Sequence, residues 1–131
     1  MKELKVVAAI IENEQQEILC ALRSPKMSLP NYWEFPGGKV EENEELFSAL
    51  EREINEELNF RVRAIELFHK NTHEYESFII HLLAIKCTIM NGIPIPNEHA
   101  RVIWLKRESL MSLNWAPADL PAVEKLMNEW K

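Results

Sequence analysis

The chain has 131 residues, 15 Lys and Arg against 21 Asp and Glu, a formal charge of −6 and 47% hydrophobic residues. That length and apolar content fit one domain spanning 1–131 around a packed core and exclude a disordered chain. The acidic balance argues against a binder of polymeric nucleic acid, which would carry a basic footprint.

The N-terminus runs from Met1 through Lys5 into Val6-Val-Ala-Ala-Ile-Ile11, followed by Glu12-Asn-Glu14. The apolar run is too short for a signal peptide and falls far below the roughly 20 residues of a membrane span. It reads as a strand buried on both faces. Ile18–Leu22 reads as a second strand, hairpinned to the first across a polar turn. Residues 23–40 hold Pro25, Pro30, Pro36 and Gly37-Gly38, a long irregular stretch of the kind that is usually functional. A helix is predicted over Asn43–Leu58, strands over Arg61–His69 and Phe78–Thr88, and a second loop over Met90–His99. A short strand over Arg101–Leu105, a short helix over Glu108–Leu113 and a final helix from Asp119 to Trp130 complete the order. The pattern is α+β, a layered α/β/α arrangement. Cys20 and Cys87 lie in apolar sequence with no CxxC pair, so buried thiols and a cytoplasmic protein are expected.

The acidity is concentrated in one place. Residues 41–57 hold eight glutamates and one base, Arg52, for a local sum of −7, eight acids less one base. On a helical projection with Leu46 at 0° and about 100° per residue, Ala49, Leu50, Ile54, Phe47 and Leu58 form an apolar arc. Ser48, Glu51, Arg52, Asn55 and Glu45 form the polar face. Glu41, Glu42, Glu45 and Glu51 are read as solvated. Glu53 and Glu57 fall near 340° and 20°, inside the apolar arc, and Glu56 near 280° lies at its edge, on the same roughly 100° step. Unpaired carboxylates buried that close repel one another. A divalent cation resolves the conflict. Carboxylate oxygens without His or Cys suit Mg²⁺ or Mn²⁺.

Gly38, five residues, Glu44, seven residues, then Arg52-Glu53-Ile54-Asn55-Glu56-Glu57-Leu58-Asn59-Phe60 resembles the Nudix box, G-x5-E-x7-R-E-U-x-E-E-x-G-U. Asn59 stands where the family has glycine. That position lies just past the helix end, where a left-handed conformation is useful and Asn is the next most tolerant residue. Val6–Ile11, Trp33–Lys39, Ile79–His81, Glu98-His99 and Ala116–Pro121 extend the likeness to the MutT branch over nearly the whole chain. It is nearest to the small nucleoside triphosphate pyrophosphohydrolases, both the 8-oxo-dGTP diphosphatases and the CTP pyrophosphohydrolases of NudG type.

The resemblance implies the Nudix fold, an α/β/α sandwich with a mixed sheet, and Mg²⁺-dependent hydrolysis of a (d)NTP to (d)NMP and pyrophosphate. Metal would be held by Glu53, Glu56, Glu57 and the Gly37 carbonyl, with Glu98 as an extra ligand. Glu53 is the first candidate for general base and Glu98 the second, and Arg52 would orient the glutamates through an i,i+4 pair with Glu56. Gly38 lets backbone approach metal or phosphate, and Lys39 is a phosphate candidate. The base candidates are Arg23, Trp33, Glu34, Phe35, Phe78 and Asp119, the last matching a base-holding position in relatives. Trp104, Trp115 and Trp130 are read as packing, and the four histidines show no metal spacing. The partner is a nucleoside triphosphate, not a membrane, and the chain is expected as monomer or homodimer. The alternatives are ADP-ribose, dinucleotide or nucleotide-sugar hydrolysis, a non-catalytic nucleotide-binding module, and an acidic protein-interaction helix.

Overall fold

The computed structural model describes residues 1–129. Strand β1 (Lys2–Ile11) is the axis of the molecule. It pairs antiparallel with β4 (Gly37–Lys39) on one edge and parallel with β6 (Phe78–Asn91) on the other. β6 pairs antiparallel with β5 (Arg61–Glu74), giving a mixed sheet of order β4-β1-β6-β5. A smaller antiparallel sheet runs β3 (Trp33–Glu34), β2 (Glu17–Leu22), β7 (Arg101–Lys106).

The expected hairpin of β1 with β2 forms only at its root, as a single Glu12–Ile18 bridge. A strand has two hydrogen-bonding edges, and β4 and β6 take both edges of β1. β2 therefore diverges into the second sheet. Two short strands, β3 and β4, lie inside the stretch read as irregular.

The side-chain period of two gives β1 two buried faces. Val7, Ala9 and Ile11 pack toward helix α1 (Leu46–Leu58), with Leu19, Ala49, Leu50, Ile54, Leu58 and Phe60. Ala8 and Ile10 pack toward helix α2 (Leu120–Glu129), with Phe35, Trp115, Ala122, Val123 and Leu126. Each large side chain buried completely in this way contributes roughly 1.5–3 kcal/mol of transfer free energy. Register shifts between Ala64 and Glu66 and between Leu67 and His69 turn β5 from the α1 core, where Val62 and Ala64 pack, to the α2 core, where Phe68 packs. Glu51, read as solvated, accepts the Ala64 N–H at 2.8 Å beside the first shift. Cys20 and Cys87 are buried free thiols, each pushed up to about 12 by burial.

α1 begins at Leu46, after Glu45 as N-cap, three residues later than expected, because Asn43 has φ 64° and cannot be helical. Phe47, in its first turn, is 37% exposed although the projection sets it beside Ile54. Arg107–Ser112 is a 3-10 turn, and Trp130 lies outside the described residues. Among the described residues no helix is long and apolar enough to cross a membrane.

α1 ends where Asn59 adopts φ 50°, ψ 45° and donates its N–H to Asn55 O at 3.0 Å. This is the left-handed geometry that suits glycine and asparagine. Asn59→Ala is expected to lose about 1 kcal/mol in urea unfolding, and Asn59→Gly to stay within about 0.5 kcal/mol of the parent. An alanine variant as stable as the parent would contradict the assignment.

Candidate active site

The Gly37–Lys39 strand lies against β1 with Gly38 opposite Val7 and Gly37 opposite Ala8. Gly37 is required by backbone, and Gly38 makes room for a side chain. A Cβ on Gly37 would run into the Val7 carbonyl oxygen, and one on Gly38 into the Glu53 carboxylate. The acidic helix and the glycine strand therefore touch through the Glu53 side chain.

Arg52 sets that side chain. Its Nε and Nη2 donate to the two carboxylate oxygens of Glu44 at 2.6 and 2.9 Å, a fork-on-fork pair. Its Nη1 donates to Glu53 Oε1 at 2.8 Å and to Glu56 Oε1 at 3.1 Å, the expected i,i+4 pair. Nη2 also reaches the Lys39 carbonyl at 3.4 Å. The Arg52 hydrogen bonds hold the Glu44 carboxyl down to about 2, and the same pair raises the arginine.

One turn on, Glu57 has no such partner. Its Oε2 is buried and accepts no hydrogen bond from the described residues. Burial first, then the charges of Glu53, Glu34 and Glu98, push its carboxyl up to about 8, against a smaller opposing effect of Arg23. Glu53 and Glu57 line one end of a cleft of about 640 Å³, together with Gly37, Gly38 and Lys39.

β3 and the turn before α2 add a second group of polar side chains to the cleft, with Glu34 and Arg23 near enough for their charges to act on Glu57. Glu34 Oε1 accepts from Arg23 Nη1 at 2.8 Å, and Oε2 accepts from His99 Nε2 at 2.7 Å. Asp119 is 5% exposed, and its Oδ2 accepts the Phe35 N–H at 3.0 Å. Burial, then the neighbouring Glu34, raise its carboxyl well above the usual range, while Glu34 itself is ion-paired to Arg23. Tyr75 and Phe78 stack with ring centroids 5.0 Å apart, and the Tyr75 hydroxyl accepts the Ala118 N–H at 3.0 Å. Arg23, Met27, Ser28, Leu29 and Phe35 complete this part of the cleft.

Of the residues singled out from sequence, Arg23, Glu34, Phe35, Gly37, Gly38, Lys39, Glu53, Glu57, Phe78 and Asp119 line this cleft. Arg52 stands behind Glu53. Glu56, with its side chain 59% exposed, is drawn to Arg52 and does not line the cleft. Glu98 is exposed on the loop before β7, whose Asn97 N–H donates to the Glu57 carbonyl at 3.0 Å. Trp33 faces the α2 core and bridges to Trp115. Sequence reasoning passed over Tyr75 and His99. His99 is 6% exposed, and its position after Glu98 in a Pro-rich loop carries no periodic signal of burial.

Among the described residues no three His, Cys, Asp or Glu side chains converge into a finished metal cage. The donor set still fits a hard divalent cation. The orphaned Glu57 Oε2 and the Glu53 carboxylate, seated where any Cβ on Gly38 would clash, offer oxygen ligands in want of positive charge.

The NUDIX domain family model matches residues 2–126. The chain belongs to the Nudix family. A CTP pyrophosphohydrolase of Escherichia coli (strain K12) is 38% identical over 127 residues, covering 97% of this chain and 93% of that protein. An 8-oxo-dGTP diphosphatase of the same organism is 32% identical over 126 residues, covering 96% and 98%. The solution structure of a Nudix-family MutT protein from methicillin-resistant Staphylococcus aureus 252 is 48% identical, covers 99% of this chain and 100% of that one, and superposes with a TM-score of 0.79. That of the E. coli ORF135 protein is 37% identical, covers 98% and 91%, and gives 0.82.

In this Nudix chain the raised Glu57 carboxyl links stability to pH. The unfolded chain releases this proton near 4.5 and the folded chain holds it to about 8, so folding loses stability as pH rises across that window. Metal-free protein is expected to melt several degrees lower at about pH 8 than at about pH 5, and Glu57→Gln to flatten that slope. Mg²⁺ at about pH 8 should raise the melting temperature of the parent more than that of the variant. Parallel curves for the two proteins would contradict the assignment.

Proposed function

We propose that the cleft binds a nucleoside triphosphate with its base at the Glu34–Asp119 end and its phosphates at the Gly37–Lys39 end, and that Glu53 serves the hydrolytic step. The chain is a Nudix hydrolase of phosphoric anhydride bonds, a MutT-type nucleoside triphosphate pyrophosphohydrolase yielding the monophosphate and pyrophosphate. One observation carries the reading of the site. A half-buried, mutually repelling carboxylate pair lines, with Gly37 and Gly38, the same cleft as Glu34, Asp119, Tyr75 and Phe78.

A nucleoside triphosphate carries about four negative charges near neutral pH and cannot approach Glu53 and Glu57 unaided. Mg²⁺ or Mn²⁺ held by Glu53, Glu57 and the Gly37 carbonyl, with Glu56 and Glu98 as further ligands, would neutralise the phosphates and acidify a water. Arg52 fixes Glu53 Oε1 and leaves Oε2 on the Gly38 side to accept a proton from the attacking water. Glu98, near enough for its charge to bear on Glu57, is the other base candidate. Lys39 offers a phosphate contact.

At the base end Glu34, held by Arg23 and His99, keeps lone pairs that can accept a hydrogen bond from an exocyclic amine, as on cytosine, and Asp119, whose Oδ2 takes the Phe35 N–H, lines the cleft beside it. Higher identity to a CTP pyrophosphohydrolase than to an 8-oxo-dGTP diphosphatase supports the same preference. A panel of unmodified and modified NTPs, ADP-ribose and dinucleotides with Mg²⁺ or Mn²⁺ tests the substrate. CTP or a modified dCTP is expected to lead, and release of pyrophosphate confined to 8-oxo-dGTP, or cleavage of ADP-ribose in its place, would overturn it. Glu53→Gln should slow pyrophosphate release by about 10³-fold or more while leaving the melting temperature within a few degrees. Near-normal turnover would remove Glu53 from the chemistry.

A further inference from the structure

His99 and Asp119 are the two polar residues buried among the described residues. Asp119 faces the cleft, whereas His99 does not line it. The His99 side chain is 1% exposed, and its Nε2–H bond to Glu34 Oε2 at 2.7 Å is its one polar tie, since Nδ1 has no partner among the described residues. A ring held this way within a packed interior has one direction in which to donate.

The backbone around it is pinned on both sides. Ile95 and Asn97 donate to the carbonyls of Leu58 and Glu57 at the end of α1, and Ala100 donates to Leu22 at the end of β2. His99 is thus fixed relative to both halves of the cleft. Arg23, which holds the other oxygen of Glu34, is fixed in turn by Ser28, through Nε to the carbonyl at 2.6 Å and Nη2 to Oγ at 3.1 Å. Glu34 is therefore gripped by one donor on each oxygen, and its carboxylate plane is set before any ligand arrives. An acceptor that is pre-oriented discriminates between base edges far better than one that must be ordered on binding.

We propose that His99 is a positioning residue for base selection: through Nε2 it locks the Glu34 carboxylate in the orientation that accepts the exocyclic amine of the base. This rests on the assignment of Glu34 to the base end of the cleft. A histidine that merely fills the core would support stability and leave base preference alone.

The test is steady-state kinetics on CTP and UTP, which differ at the amine, with melting temperatures measured in parallel. His99→Ala is expected to reduce the CTP:UTP ratio of kcat/KM by about 10-fold or more, mainly through KM for CTP, with kcat changed by less than about threefold. His99→Gln carries an amide nitrogen in nearly the place of Nε2 and should restore most of the ratio. His99→Asn, one carbon shorter, should not, and this pair decides the matter if the alanine variant fails to fold. In a double-mutant cycle, adding His99→Ala to Glu34→Gln should cost no further selectivity. An unchanged ratio in folded His99→Ala or His99→Asn, a uniform loss on both nucleotides, or additive effects in the cycle would overturn the role. A parent enzyme that turns over CTP and UTP equally would overturn the base-reading site itself, and the role of His99 with it.

Discussion

Glu53 has one carboxylate oxygen on the Arg52 guanidinium at 2.8 Å and its other oxygen over Gly38, where a Cβ would clash. The rest of the acidic end follows from this arrangement. Arg52 is held by a forked pair with Glu44, so the helix carries its own brace and Glu53 has little rotamer freedom left. A Cβ on Gly37 would in the same way meet the Val7 carbonyl, so the strand that receives Glu53 pairs against β1 with no room for a side chain there. Glu57, one turn on, then has no hydrogen-bond donor for Oε2 among the described residues, and the charge of Arg23 offsets only part of the raising effects on it. Its orphaned oxygen and raised pKa are what the proposed cation would relieve.

The two ends of the cleft treat carboxylates in opposite ways. At the acidic end Glu53 and Glu57 repel across a short space and Arg52 compensates only the first. Toward β3, Glu34 takes one donor on each oxygen, from Arg23 and His99, with lone pairs to spare, and burial raises the Asp119 carboxyl. In the proposed binding mode the first would take the cation-bound phosphates and the second the base. β1 connects the two, since its pairing with β4 seats Gly37 and Gly38 while Ala8 and Ile10 on its other face pack the core that carries Phe35.

The acidic end was legible in the sequence because helical periodicity is strict. Glutamates on the apolar side of a helix are visible as an angular conflict, and the left-handed Asn59 is visible as a stop. Glu56 shows the limit of that projection. It shares the side of Glu53, yet its longer reach to Arg52 takes it out of the cleft, and no wheel encodes which partner a flexible side chain finds. Phe47 shows the same limit, because a projection treats a helix as covered along its whole length. The base end was less legible. Glu34 and Asp119 stood out beside prolines and aromatics, but the Phe35–Asp119 hydrogen bond across 84 positions depends on β3 pairing with β2, a two-residue strand without periodicity. His99 and Tyr75 were invisible because they come from loops, where burial follows tertiary closure. The hairpin read for β1 and β2 failed for a related reason, as local sequence cannot tell that both edges of β1 are claimed by strands far along the chain.

The central claim is that Glu53, Glu57 and the glycine strand form one cation site. Paramagnetic broadening by substoichiometric Mn²⁺ in ¹⁵N-labelled protein tests it without reference to turnover. The amides of Gly37, Gly38 and Glu53 through Leu58 are expected to lose intensity first, while those of the exposed acids Glu14, Glu66 and Glu124 keep theirs. Broadening spread evenly over the acidic surface, or centred away from Gly38 and Glu53, would contradict it.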